Sequence, residues 1–350
     1  MRTTIDDALE ILKNTGPEFT LGRYDGLSNH GAMGAETLLT LGRDDTVISW
    51  VEAYKRRLPL RQHPEPSAPI SAKSWREALG DFGRAGDWTI FFDRELEERA
   101  WRTVLDEWVG RLAPGFVGAG THGIIRTAHA VRSIAAEETA ARRHELAEGL
   151  GYWAARFQPL PGSPGRSRGG VPPSQGIRQV EPLREPGDFG LISDELRSLD
   201  RVPAFRGVID IVDVETDASS FLSDLTETFA RVYLANVERA GPIGMVHAVT
   251  GPSAVRLMMP HLRSESVRSL LRYAWQAAAA MYVVYGETAE PEAIETPIAD
   301  MDDLIERATD TADVHAIKFT EACLREFRLN PAPVYLSAAA DASRRLRKKD

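Results

Sequence analysis

Five of the eight histidines in this chain lie in short apolar or glycine- and alanine-rich stretches. His30 is in LSNHGAMGAE, His122 and His129 in GAGTHGIIRTAHAVR, His247 in IGMVHAVTG and His315 in DVHAIKFTEAC. A polar ring in such a setting needs a partner, because a buried unsatisfied polar group costs about 1–3 kcal/mol. One shared partner accounts for five such rings more simply than five separate ones, and imidazole is the commonest metal ligand. A metal centre is the chemistry these residues point to. Taken singly, each could equally be a core ring donating to a backbone carbonyl. His63, in a proline-rich loop, His144, after two arginines, and His261, after Pro260, read as surface or capping residues.

His122 and His129 are nearly two helical turns apart, so both project from one side of a helix with Cα atoms about 10.5 Å apart. Either both ligate from well-separated positions, or one ligates and the other contacts substrate. Lys318 follows His315 by one turn. A free ammonium is a poor neighbour for a divalent cation, so Lys318 serves only as a neutral amine or a carbamate; otherwise it snorkels to solvent. Glu36 and Glu321 are the carboxylate alternatives. Arg126, between the two histidines, either holds an anionic substrate oxygen or pairs with an acidic residue. Trp275, Tyr282 and Tyr285 either wall an aromatic substrate or fill a helix core.

The elements that must position these residues are helical. Asp93 reads as the N-cap of a helix over 93–112, with Trp101, Leu105, Trp108 and Leu112 on one face. Residues 219–240 place Phe221, Leu225, Phe229 and Val232 on a stripe that Gly241 and Pro242 stop. Residues 264–285 bury Leu271, Ala274, Ala278, Met281 and Tyr285 before Gly286. From 301 the stripe runs Leu304, Ala308, Ala312, His315, Phe319 and Ala322, with His315 on its core-facing side. The only strand candidate is GVIDIVDV at 207–214. Residues 159–178 read as a flexible Pro/Gly-rich loop, a smaller proline-rich loop spans 59–69, and 340–350 reads as a basic tail. The expectation is an all-α chain, a single irregular multi-helix bundle over residues 1–350, because the candidate residues run from 30 to 315 although the length would allow two domains.

Several function classes are excluded or disfavoured. One cysteine, Cys323, allows no internal disulfide and no thiolate-rich zinc or iron–sulfur site; mid-helix, it reads as core filler. The net charge of -9 disfavours a nucleic-acid partner. No run approaches 18 apolar residues, so no membrane span is expected, and the opening MRTTIDDALEILKNTG has no signal-peptide core; the expectation is a cytoplasmic protein. Gly118-Ala-Gly120-Thr-His-Gly123 spells G-x-G-x-x-G, but Pro114 and Gly115 precede it instead of a buried strand, so the glycines are expected to shape the turn that delivers His122. Walker A and H-E-x-x-H motifs are absent.

Asn29-His30-Gly31, Thr121-His122-Gly123 running into Arg126-Thr-Ala-His129-Ala-Val-Arg132, His247-Ala-Val-Thr-Gly251 and His315-Ala-Ile-Lys318-Phe-Thr-Glu321-Ala-Cys323 together resemble the questin oxidase-like family. Tyr273-Ala-Trp275 through Tyr285-Gly286 extends the similarity, which covers roughly residues 20–330. The resemblance implies an oxidoreductase that opens a polycyclic aromatic ketone, anthraquinone-like, by Baeyer–Villiger-type or dioxygenase chemistry, at a mononuclear non-haem metal held by histidines and a modified lysine. It implies His30, His122, His129, His247, His315 and Lys318 as ligand candidates, Fe(II) as the metal, and dioxygen as co-substrate. That set is one or two too many for a site with open positions, so at least one member stands outside the coordination sphere, with His30 or His247 the first to be set aside. Nitrogen and oxygen donors without thiolate suit iron, and also manganese or zinc. Arg126 would steer a phenolate or enolate oxygen of a small aromatic, polyketide-like substrate. NADPH, which the family's namesake activity uses, finds no binding fold here and would arrive as a loose co-substrate or through a partner reductase. Two alternatives stand beside this: a zinc hydrolase with Glu36 or Glu321 as general base, and a non-catalytic helical binding module whose histidines are structural.

Overall fold

The computed structural model describes residues 3–16, 18–20, 24–58, 66–165, 170–183, 190–291, 293–294 and 300–347. It is all-α apart from one small ribbon, and it divides into two compact units, Met1–Gln158 and Pro159–Asp350. His63 and the 59–65 part of the proline-rich loop lie outside the described residues.

The first unit runs through α1 (Thr4–Leu12), the strands β1 (Glu18–Thr20) and β2 (Tyr24–Leu27), then α2 (Gly31–Thr40), α3 (Asp44–Lys55), α4 (Ala85–Glu98), α5 (Trp101–Leu112), α6 (His122–Ala136) and α7 (Ala140–Ala155). The strands pair antiparallel with Glu18 opposite Leu27 and Thr20 opposite Tyr24. Periodicity did not signal this ribbon, since three- and four-residue strands are too short to show alternation.

The helix expected over 93–112 is two helices. Arg99 takes an extended conformation, and Asp93 lies inside α4 rather than capping it. Packing explains the break. In one continuous helix the rings of Phe92 and Trp108 would be about 24 Å apart along the axis; here their centroids are 4.9 Å apart, and Trp108 also meets Trp88 and Phe91. Folding back gathers these four buried aromatics into one cluster, each edge-to-face contact adding about 0.5–1.5 kcal/mol beyond burial. Arg99 clamps the corner by pairing with Glu95 and Glu107.

The second unit holds α8 (Pro173–Gly176), α9 (Ile192–Arg197), α10 (Ala218–Ala240), α11 (Pro242–Met258), α12 (Ser264–Tyr285), α13 (Met301–Asp310), α14 (Val314–Leu329) and α15 (Pro333–Arg345). The stripes expected on α10 and α12 are buried as read. Gly241, at φ 71°, takes the left-handed conformation between α10 and the Pro242 that opens α11.

Four expectations are corrected here. GVIDIVDV is no strand: Pro203–Asp210 is a 3-10 helix burying Phe205, Val208 and Ile209 at helical spacing, and only Val212 bridges, to Val171. The 159–178 segment is built on both sides of residues 166–169, which lie outside the described ones: Leu160, Pro173 and Ile177 are buried, and Gly170 passes so close to Asp213 that a Cβ would lie 2.5 Å from its nitrogen. The segment expected as a basic tail is helical through Arg345, which pairs with Asp341 and Glu238; its residues 348–350 lie outside the described ones. The stripe from 301 also breaks. Ala312 is exposed at φ 52°, Asp313 caps α14 by accepting from His315 N–H at 2.8 Å, and His315 is therefore half-buried in a first turn rather than on a continuous core face.

Candidate metal centre

Asn29, His30 and Gly31 each have a separate task at the start of α2. Asn29 Oδ1 accepts from Gly31 N–H at 2.9 Å and its amide donates to Thr15 Oγ1 and Gly16 O. Gly31 lies against Leu12, where a Cβ would come within 2.6 Å of a methyl. His30 occupies the cap position without a side-chain capping bond, so its ring is available for other contacts. Its backbone N–H donates to Tyr54 Oη at 2.7 Å, and Tyr54 donates to Glu18 Oε1.

His122 is delivered by a turn in which Ala119, Gly120 and Thr121 are all left-handed, at φ 53°, 63° and 72°. Two of these are not glycine, and each such residue stores about 1–3 kcal/mol of backbone strain. The turn brings the Ala119 carbonyl to 2.6 Å from His122 Nδ1. Gly118 and Gly123 are sites of close approach, where a Cβ would lie 2.7 Å from Arg156 O and 2.8 Å from Trp153 Cα. This is the turn-shaping role expected of the G-x-G-x-x-G letters, and a helix and a 3-10 turn, not a strand, precede it.

His30 and His122 are buried and meet Nε2 to Nε2 at 2.8 Å, with ring planes 82° apart. A carbonyl on Nδ1 makes that nitrogen the N–H of His122 and puts the lone pair on Nε2. Two metal–nitrogen bonds of about 2.1 Å at right angles hold nitrogens about 3.0 Å apart, close to the separation seen.

His129, on the same helix, is held differently. Its Nδ1 is 2.6 Å from Glu36 Oε2, and Arg132 forks onto the same carboxylate. Burial would raise the Glu36 pKa, but the Arg132 charge and the His129 contact outweigh it and lower it to about 2. Arg126 is taken up by Glu145 through two bonds of 2.7 and 2.8 Å, with Glu148 at 3.7 Å. Of its two sequence readings, the ion pair is the one displayed.

In the second unit, His247 on α11 and His315 on α14 meet at a ring-centroid distance of 5.6 Å. The Ile243 carbonyl lies 2.6 Å from His247 Nδ1, and Asp313 Oδ1 lies 3.4 Å from His315 Nδ1. Burial, then the charges of His315 and Lys318, hold the His247 pKa well below the imidazole range. Lys318 is buried rather than snorkelling. Glu321 pairs with Arg325, the Cys323 thiol is pushed up by burial, and Trp275 donates to Val208 O from within the core. Tyr282 and Tyr285 are buried core residues as well. Among the described residues of the first unit, His30 and His122 bring ring nitrogens close enough together to hold a metal ion.

Residues 27–158 match the model of the questin oxidase-like family. The match takes in His30, His122 and His129 and ends before the His247 and His315 segments that carried the rest of the resemblance. No curated protein matches the chain. Glu18 and Tyr54 were missed from sequence. Tyr54 was legible only as a core position after Val47 and Val51 on α3, and Glu18 lies just before the matched range.

Proposed function

We propose that the chain is an oxidoreductase resembling questin oxidase, one that oxidises and opens a polycyclic aromatic ketone with dioxygen at a histidine-held iron. One observation carries it: in both units a buried imidazole gives Nδ1 to a main-chain carbonyl and lies ring against ring with a second imidazole. Metal-ligating histidines characteristically give their second nitrogen to a carbonyl or carboxylate, which fixes the tautomer. The proposed ligands are His30 and His122 in the first unit and, in the second, His247 and His315, with Lys318 joining as a carbamate. His129 is assigned to the Glu36 ion pair. Iron so held supplies open positions at which dioxygen is activated beside the substrate.

The protein's own residues prepare that chemistry. His122 and His247 are kept in the tautomer whose Nε2 bears the lone pair. Burial holds His247 in its neutral form. NADPH is proposed only as a freely exchanging co-substrate or through a partner reductase. The zinc-hydrolase alternative is weakened by its two candidate bases, since Glu36 and Glu321 are both committed to arginines.

Elemental analysis of protein purified anaerobically without a metal-binding tag, joined to oxygen uptake on hydroxyanthraquinones, tests the proposal. Near-stoichiometric iron and substrate-dependent uptake are expected. Stoichiometric zinc with no oxygen dependence would transfer the chain to hydrolysis. A folded protein with no metal would leave the binding module.

A further inference from the structure

We propose that Glu18 and Tyr54 are positioning residues that hold His30 in orientation for a cation; this rests on the metal-centre reading above. The Tyr54 hydroxyl makes two bonds at once, accepting the His30 backbone N–H at 2.7 Å and donating to Glu18 Oε1. The same carboxylate oxygen lies 3.6 Å from His30 Nδ1. One hydroxyl and one carboxylate therefore bracket His30 from its main chain and from the ring edge opposite the Nε2 that faces His122.

Packing fixes the tyrosine. Its ring stacks on Trp50 at 5.1 Å and 9°, and Trp50 fills the space left by Gly34 on α2, where a Cβ would lie 2.2 Å from the indole. The helix that carries His30 is thereby keyed to the helix that carries Tyr54. A carboxylate facing the N–H edge of a ligating imidazole makes the other nitrogen a stronger donor and restrains rotation of the ring. The two members of the pair are served differently: His122 has a neutral carbonyl behind it, His30 a carboxylate.

The test is a Co(II) titration of the full-length, metal-free protein against a competing chelator, for wild type, Tyr54→Phe and Glu18→Gln. Co(II) adds a readout besides activity, because its visible ligand-field bands report the donor set. Expected are affinities about 10-fold weaker for Tyr54→Phe and about 10- to 100-fold weaker for Glu18→Gln, with shifted bands and metal-free melting midpoints near wild type. Variants that bind within twofold of wild type with unchanged bands would overturn the positioning role and leave the metal centre standing. Lowered midpoints with unchanged affinity would also overturn it, assigning these residues to stability alone. A wild type that binds no Co(II) would instead sink the metal reading itself. If Glu18→Gln does not fold, Tyr54→Phe and Glu18→Asp carry the same comparison.

Discussion

The two histidine pairs share a local pattern and differ in the charge that borders them. His122 and His247 each rest Nδ1 on a main-chain carbonyl at 2.6 Å and each meet a second imidazole. Glu18 borders the pair in the first unit, whereas Lys318 borders the pair in the second. A carboxylate draws a cation in; a buried ammonium repels it and helps keep the adjacent imidazole unprotonated. Backbone geometry thus decides which nitrogen donates, and the neighbouring side chain decides how welcome a cation is.

The harshest way to break the comparison is to delete one ring from each pair. His122→Ala and His247→Ala are each expected to remove the metal held by their own pair and to lower oxygen uptake, read by elemental analysis and an oxygen electrode. Loss in one variant alone would make the other pair structural.

A histidine outside the pairs sharpens it. The folded-state pKa of Glu36 lies near 2, below its ordinary 4.5, so its contribution is fully present above pH 4.5 and is lost as pH falls toward 2. The loss is on the order of 3 kcal/mol. Denaturant midpoints between pH 6 and 2 check this: Glu36→Gln should be less stable at neutral pH and fall less steeply in acid.

Lys318 tests the charge difference directly. Lys318→Met is expected to weaken metal binding about 10-fold if the lysine is a carbamate oxygen donor, the loss typical of removing a group that supports a metal. Tighter binding would show a repelling ammonium instead. The smallest effect belongs to Arg126→Lys, which gives up a bidentate pair with Glu145. About 1 kcal/mol of stability and unchanged metal content are expected by thermal melting and elemental analysis.

Much of this was legible in the residues. Helical stripes such as Phe221 to Val232 and Leu271 to Tyr285 bury what their spacing promised, because a core-facing helix must repeat apolar residues near every 3.6 positions. The burial of His30, His122, His129 and His247 was legible too, since each lies among apolar neighbours in the sequence. Legibility failed where the chain turns. The break at Arg99 answers to an aromatic cluster joining residues 88 and 108, and the break at 311–313 to a cap on α14. Neither leaves a mark on local periodicity.

By itself the sequence determined an all-α chain, its core faces and the burial of four of its histidines, since these follow from residue type and spacing along the chain. Only the tertiary structure decided that His129 is bound to Glu36 while His122 meets His30, that Arg126 is taken by Glu145, and that Tyr54 and Glu18 stand behind His30. The physical reason is range. Helical spacing relates residues a few positions apart, whereas a hydrogen bond made across 93 positions depends on how distant segments are brought together, which no local pattern encodes.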